Sequence, residues 1–307
     1  MIGREELLKH VVTLLHSHGF GISMFTHTNS CFDMIARGAN ATLAVKVYGN
    51  IDAIRPAQAQ ELGKLGRVLG IDVLIVGEKT KAFTLKDGTV YERYGIPVLT
   101  ANSLRGVLEE KMPDVRYFKG RELVCLDAEK LKERRKKLGL TLEELAEKAD
   151  SSAESVHRYE KGASATLEAA KRLERVLHAS IIRHVDIFRP ADVEEFDREM
   201  DDDVMRKIHD LGLELALFRH APFRAYSGYG DELLIGKGKG KREVVHRALE
   251  LGKTRDALGH EGIIIAKEFR NETAEGIPVV REEELDTLSR GRDLMKLVRE
   301  RKGRKQQ

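Results

Sequence analysis

The chain has 307 residues, 41% of them hydrophobic and 34% charged, with 53 Lys and Arg against 50 Asp and Glu. That balance excludes a polycation, and two cysteines without disulfide or metal spacing, Cys31 and Cys125, exclude a stapled secreted scaffold. No apolar run approaches the ~18 residues of a membrane span and no signal-peptide pattern is present, so the sequence reads as a cytoplasmic protein of two or three domains. The first block, 1–115, opens with Leu7, Leu8, Val11, Val12, Leu14 and Leu15 at mixed three and four spacing, which predicts a helix over 5–18. Strand-like runs follow at 21–25, 31–36 and 42–47, then a helix over 55–69, a strand at 73–77, a hairpin turn at Asp87-Gly88 and a strand at 95–99. An α-β-β-β-α-β order predicts an α/β sandwich on a mixed sheet.

The second block, 125–180, reads as wholly helical between 127 and 177, in four segments. In the first, Leu131, Arg135 and Leu138 share a face, which sets a charge among core positions and demands a partner for it. Thr141 and Glu144 form a capping box for the second, whose inner stripe is Leu142, Leu145, Ala146 and Ala149. Ala146 is small enough to let a neighbouring helix cross closely. Ser151 or Ser152 caps the third segment, Val156 and Tyr159 face inward, and Gly162 ends it. The fourth covers 167–177, with Ala170 and Leu173 inward.

The third block, 195–297, repeats the plan of the first. Residues 211–218 answer 18–25, Phe223-Arg224 answers Phe32-Asp33, 232–238 answers 42–48, 262–268 answers 73–79, and 275–285 answers 94–104. Five matches in one order predict two copies of one domain around a helical insert; the alternative is two domains sharing common strand and turn vocabulary. A basic tail, 298–307, closes the chain, and residues 290–307 hold eight Lys or Arg against two acids.

The stretch 131–177, LKERRKKLGLTLEELAEKADSSAESVHRYEKGASATLEAAKRLERVL, resembles the helix-turn-helix (HTH) of the phage repressor and Cro family. Leu145-Ala146 stands where that family has a leucine-alanine pair, and Glu160-Lys161-Gly162 where it closes its third helix. The resemblance implies that Arg135 pairs with Glu160, the partner the helical face already requires. Three positions depart from the family: Asp150-Ser151 occupies the turn in place of glycine and an aliphatic residue, and Leu142 stands where a phosphate-binding glutamine is usual. In such a motif the third helix enters the major groove. Base contacts are then expected from Ala153, Glu154, His157 and Arg158, and phosphate contacts from Thr141 and Ser152. The plain alternative is that Glu154 and Arg158 form a solvent-facing i, i+4 pair. Residues 121–178 carry thirteen basic and twelve acidic side chains, so strong binding would need a dimer or help from the basic tail.

Asp33 on one strand and Ala44-Val45-Lys46 on the next look like the PD-(D/E)XK nuclease arrangement. The resemblance implies two acids holding a divalent metal beside a lysine. Here Ala44 takes the second acid position, and Glu61 on the following helix is the substitute ligand. The third block aligns Arg224, Ile235 and Lys237 at those places, so both copies are expected to be scaffolds without metal or cofactor. Residues 77–80 and 236–242 lack the upstream glycine of a phosphate loop, and His10, His16, His18 and His27 lack metal-ligand spacing. Asp201, Asp202 and Asp203 read as the acidic start of a helix leading to His209.

The expected fold class is α/β plus all-α: two related, restriction-endonuclease-like α/β domains flanking a four- to five-helix HTH domain. The whole chain resembles a group of archaeal HTH-type transcriptional regulators. This implies a sequence-specific DNA-binding transcriptional regulator rather than an enzyme, with double-stranded DNA as partner, a homodimer, and no membrane association. The alternatives are a metal-dependent endonuclease using Asp33, Lys46 and Glu61, and a protein that uses its helical bundle for partner binding.

Overall fold

The structure, a computed structural model, describes residues 3–25, 30–188, 197, 199–228 and 232–302. The first block runs α1 (Arg4–Ser17), β1 (Gly21–Met24), β2 (Met34–Arg37), β3 (Thr42–Asn50), α2 (Pro56–Leu69), β4 (Asp72–Lys79), β5 (Thr89–Arg93), β6 (Ile96–Leu99) and α3 (Ala101–Leu108). The middle block runs β7 (Val115–Phe118), β8 (Arg121–Leu126), α4 (Ala128–Lys137), α5 (Leu142–Lys148), α6 (Ala153–Tyr159), β9 (Ala165–Thr166), α7 (Leu167–Leu177) and β10 (Ile182–Arg183). The third runs α8 (Asp203–Asp210), β11 (Ala216–Leu217), β12 (Ala225–Ser227), β13 (Leu233–Gly238), α9 (Lys241–Leu258), β14 (Glu261–Ala266), β15 (Thr273–Ala274), β16 (Ile277–Arg281), α10 (Glu282–Leu285) and α11 (Gly291–Lys302).

The first and third blocks share a strand order, β1-β2-β3-β4-β6-β5 in one and β11-β12-β13-β14-β16-β15 in the other. Each begins as an antiparallel meander and closes on an antiparallel hairpin; β4 runs parallel to β6 in the first block, as β14 does to β16 in the third, where β13 also runs parallel to β14 across α9. The hairpins turn on Tyr94-Gly95 (φ 53° and 79°) and Glu275-Gly276 (φ 48° and 74°). Positive φ at both turn positions matches the twist of the flanking strands. Phe25 and Phe32 stack edge to face at 5.0 Å, and Phe218 and Phe223 do the same at 5.1 Å.

The register also corrects one expectation. The Asp33 amide donates to Val45 O (2.8 Å) and the Arg224 amide to Ile235 O (2.7 Å), so Val45 and Ile235 hold the same place. Lys237 therefore answers Val47, and Gly236 answers Lys46. A slip of one residue moves a side chain to the other face of a strand.

The chain divides into two compact units: residues 1–11, 48–53 and 75–189, and residues 12–47, 54–74 and 190–307. The core of the first unit's helical part gathers Val124, Leu126, Leu131, Leu145, Ala146, Val156, Ala170 and Leu173. In the second unit Ile235, Ile263 and Ile265 on β13 and β14 pack with Met205, Ile208, Leu294 and Val298. These central strands read as continuous apolar runs because both faces are covered. Within this unit α9 lies against β1 and β2, where Arg37 donates to Ala257 O (3.3 Å).

Several elements differ from expectation. Asp87-Gly88 is a turn, but the hairpin of this region closes seven residues later, at Tyr94-Gly95. The middle block is not wholly helical, since β9 pairs with β8 between α6 and α7. Leu138, expected inward, ends α4 and is 42% exposed. The basic tail is shorter than expected: α11 carries buried Leu294, Met295, Val298 and Arg301, so 298–302 belongs to a packed helix. Residues 303–307 and His27 lie outside the described residues. The acidic run behaves as expected, with Asp202 capping α8 by accepting from the Met205 amide (2.9 Å). Among the described residues no helix is long and apolar enough to cross a membrane.

Arg301 donates to Val279 O and to both oxygens of Glu284. Burial pushes the Glu284 carboxyl up, but hydrogen bonds from Arg301 and Arg281 outweigh it and bring the group to about 2. A depressed carboxyl contributes stability that is complete above its ordinary 4.5 and is lost as pH falls toward 2. The contribution is at most about 3 kcal/mol. Denaturant titrations between about pH 6 and about pH 2.5 are expected to show this loss in the native protein and a smaller one in Glu284→Gln.

Candidate nucleic-acid interface

Four helices build the interface, each started by its own side-chain cap. Asp127 accepts from the Lys130 amide (3.0 Å) at α4, and Thr166 from the Ala169 amide (3.2 Å) at α7. At α5 the capping box is complete: Thr141 Oγ1 accepts from the Glu144 amide (3.1 Å) and Glu144 from the Thr141 amide (2.8 Å). Ser152, rather than Ser151, caps α6 by accepting from the Ser155 amide (3.1 Å). Each such cap is worth about 1 kcal/mol.

The charge on the inner face of α4 finds the expected partner. Arg135 grips Glu160 through Nε (2.6 Å) and Nη2 (3.0 Å), and its Nη1 donates to Leu140 O (2.9 Å). Both side chains are nearly buried, and the bond to Glu160 raises the guanidinium above its ordinary range. The fork ties α4 to the end of α6 and to the loop before α5. Leu131, Leu145, Ala146, Ala149, Val156, Ala170 and Leu173 are buried around it.

The turn between α5 and α6 uses Asp150 in the left-handed region (φ 49°) in place of the usual glycine. Arg172 supports it from α7, donating to Ala149 O (2.9 Å) and Asp150 O (3.2 Å). Arg134 does the same for the end of α7, donating to Leu177 O (3.0 Å) and His178 O (3.2 Å). Neither arginine stood out in the sequence, because a cation at a helix C-terminus is an ordinary feature of helices.

With Val156 buried, α6 turns Glu154, His157 and Arg158 to solvent. Ala153 and Tyr159 are partly buried against the core. Among the described residues no ion pair joins Glu154 to Arg158, so the guanidinium fork is uncommitted. Thr141 and Ser152 are exposed, with their hydroxyls engaged as caps.

A hairpin the sequence reading missed shares this core through Val124 and Leu126. Its tip, Lys119-Gly120, has φ 47° and 82°, and the adjacent Phe118 is 47% exposed beneath Arg116 (5.5 Å) and Lys119 (5.3 Å). The available signal was a Lys-Gly pair between two runs of β-forming residues.

The nuclease-like positions also come together, but as a closed polar cluster. Lys46 Nζ lies 3.0 Å from Asp33 Oδ1 and donates to Ser30 O (2.7 Å), while the Val47 amide donates to Asp33 Oδ2 (2.8 Å). Glu61 accepts from the backbone amides of Arg219 (2.8 Å) and His220 (2.6 Å). Buried Cys31 sits close by, its thiol pushed up by burial first and then by the Glu61 charge. Ala44 is buried and has no ligand atom. Asp33 and Glu61 are the acids of this cluster, and the oxygens of both receive donors. Among the described residues no group of three or more His, Cys, Asp or Glu side chains converges as a metal site. In the third block Arg224 meets Asp201, and Lys237 lies 3.3 Å from Asp202.

Comparison with known proteins agrees with both resemblances. A family model described as a PD-(D/E)XK superfamily domain matches residues 4–113, and one described as a helix-turn-helix matches residues 131–182. A relative from Archaeoglobus fulgidus is 31% identical over 302 residues, covering 96% of this chain and 97% of its own. One from Pyrococcus furiosus is 30% identical over 309 residues, covering 97% and 98%. A third, from Methanothermobacter thermautotrophicus, is 31% identical over 309 residues, covering 98% of each chain. All three are named as candidate HTH-type transcriptional regulatory proteins. No solved structure matches the chain.

Removing one partner of a nearly buried ion pair leaves the other charge stranded, at a cost of about 3–5 kcal/mol. Arg135→Ala is therefore expected to lower the thermal stability of the helical part and to abolish DNA binding without touching DNA. Circular dichroism melting and a mobility-shift assay check this. Arg135→Lys should recover only part of the loss, because a lysine cannot reproduce the fork.

Proposed function

The chain belongs to the archaeal family of candidate HTH-type transcriptional regulatory proteins, and we propose that it regulates transcription by reading a specific duplex sequence with α6. The observation that carries this reading is the uncommitted outer face of α6, held at a fixed orientation by Val156 and by the Arg135–Glu160 fork. Arg158 presents two parallel donors suited to the O6 and N7 of guanine, and Glu154 an acceptor suited to the N4 of cytosine. Ala153 offers only an apolar contact, and His157 is exposed on α6 beside Arg158. Thr141 and Ser152 start α5 and α6 where backbone amides and exposed hydroxyls meet phosphates.

The helical block is close to neutral, with thirteen basic and twelve acidic residues over 121–178, so one reading head gains little from counterion release. A homodimer on two half-sites, about one helical turn apart, supplies the missing affinity. The α/β blocks then serve assembly and DNA clamping. Against a metal-dependent nuclease stand Ala44 at the second acid position and the donor-filled carboxylates of Asp33 and Glu61.

Arg158→Ala is expected to cost about 1–3 kcal/mol on the preferred duplex, roughly a 5- to 150-fold loss, and to relax selectivity at one base pair. Binding to unrelated duplex should change little. Fluorescence anisotropy on both duplexes measures this, and equal losses on the two would contradict base reading by this residue. Magnesium-dependent cleavage that disappears in Asp33→Ala would favour the nuclease instead.

A further inference from the structure

The third block shares the strand order of the first but places cations at three positions where the first has none. Three paired positions carry the change. Arg224 stands in the place of Asp33, and Lys237 in the place of Val47, as the strand register requires. Arg247 stands in the place of Gln58, each twelve residues before the left-handed glycine that ends its helix, Gly259 and Gly70. All three cations, with Arg219, line a single cavity of about 270 Å³ that Phe218 and Phe223 also line.

The local charges do not cancel. Arg224 bonds Asp201 and also donates to Phe218 O (2.7 Å), Lys237 lies 3.3 Å from Asp202, and Arg219 only 3.9 Å from the same Asp201. Among the described residues Arg247 has no hydrogen-bond or ion-pair partner. Four cations thus stand against two carboxylates, beside two phenylalanines that also line the cavity. Guanidinium forks in such a setting select planar or tetrahedral oxyanions, and partial desolvation strengthens each bond. The cavity falls just below the ~300–1,000 Å³ of sites that enclose drug-sized ligands. One anionic group fits it better than a whole nucleotide.

We propose that this cleft binds one phosphate group, with Arg247 as its principal donor and Lys237 and Arg219 beside it. The phosphate belongs either to the DNA backbone or to a small phosphorylated molecule, and the two sources are separable by experiment. Arg247→Gln installs the residue the first block carries at this place, so the helix and the fold should persist, as an unchanged melting curve would verify. Inorganic phosphate is titrated into the full-length native protein and into the variant by calorimetry, and nonspecific duplex is titrated across a salt series.

The expected result is phosphate binding by the native protein that weakens about tenfold in Arg247→Gln. If the DNA backbone is the source, the variant also lowers the salt slope of duplex binding by about 1. If a small molecule is the source, duplex binding and its salt slope stay unchanged while phosphate binding falls. Lys237→Gln should weaken phosphate in the same direction. Phosphate binding equal in all three proteins, or none to the native protein together with an unchanged salt slope in the variants, would overturn the site. Because Arg158 lies elsewhere, the outcome is independent of whether α6 reads bases.

Discussion

Two hydrogen bonds from Arg135 to Glu160, at 2.6 and 3.0 Å, join the first helix of the helix-turn-helix block to the end of the third. A charge on the inner face of a short amphipathic helix is costly unless it is paired, and a two-pronged pair adds geometric specificity. That geometry sets where α6 ends, and so which of its residues face outward. The seven-residue helices α5 and α6 are too short to be stable alone and take their order from this fork, their caps and the shared apolar core. Arg172 and Arg134 extend the same device to helix ends that lack a capping glycine of the usual kind.

The α/β blocks show how one scaffold tolerates opposite electrostatics. Where the first block has Asp33 and Lys46 as a buried pair, the third has Arg224 drawn to Asp201 and Lys237 near Asp202. The edge-to-face phenylalanine pair, the left-handed turn of the closing hairpin and the strand order persist through this exchange. Apolar packing and turn geometry therefore hold the fold, and the polar positions are free to change chemistry. Glu61 illustrates the consequence in the first block: its carboxylate receives two backbone amides instead of facing an open cleft.

Much of the helical block was legible because its signals are local. The capping box at Thr141, the stripe through Leu145 and Ala146, and an arginine in need of a partner are all visible within one or two helical turns. The strand order that the two α/β blocks share was legible through their apolar runs, and the match of 232–238 to 42–48 carried the observed register, whereas the alignment of the site residues did not. A chain position in a strand is fixed by cross-strand hydrogen bonds, so the match of Lys237 to Lys46 failed by one residue. The hairpin before α4 was missed because its strands are short and only partly buried, and Leu138 was misplaced because α4 ends at that residue. The basic stretch near the end of the chain looked like a solvated tail by composition, yet every third or fourth residue from Leu294 to Arg301 packs inward. The cationic cleft was invisible for a different reason: its members come from separate elements and meet only in three dimensions.

The most direct test of a sequence-specific regulator is selection from a pool of random duplexes by the full-length protein in magnesium, followed by sequencing of the bound DNA. The account predicts an enriched motif on uncut DNA, with two related half-sites if the protein acts as a dimer. Binding without any enriched motif, or recovery of cut ends, would contradict it.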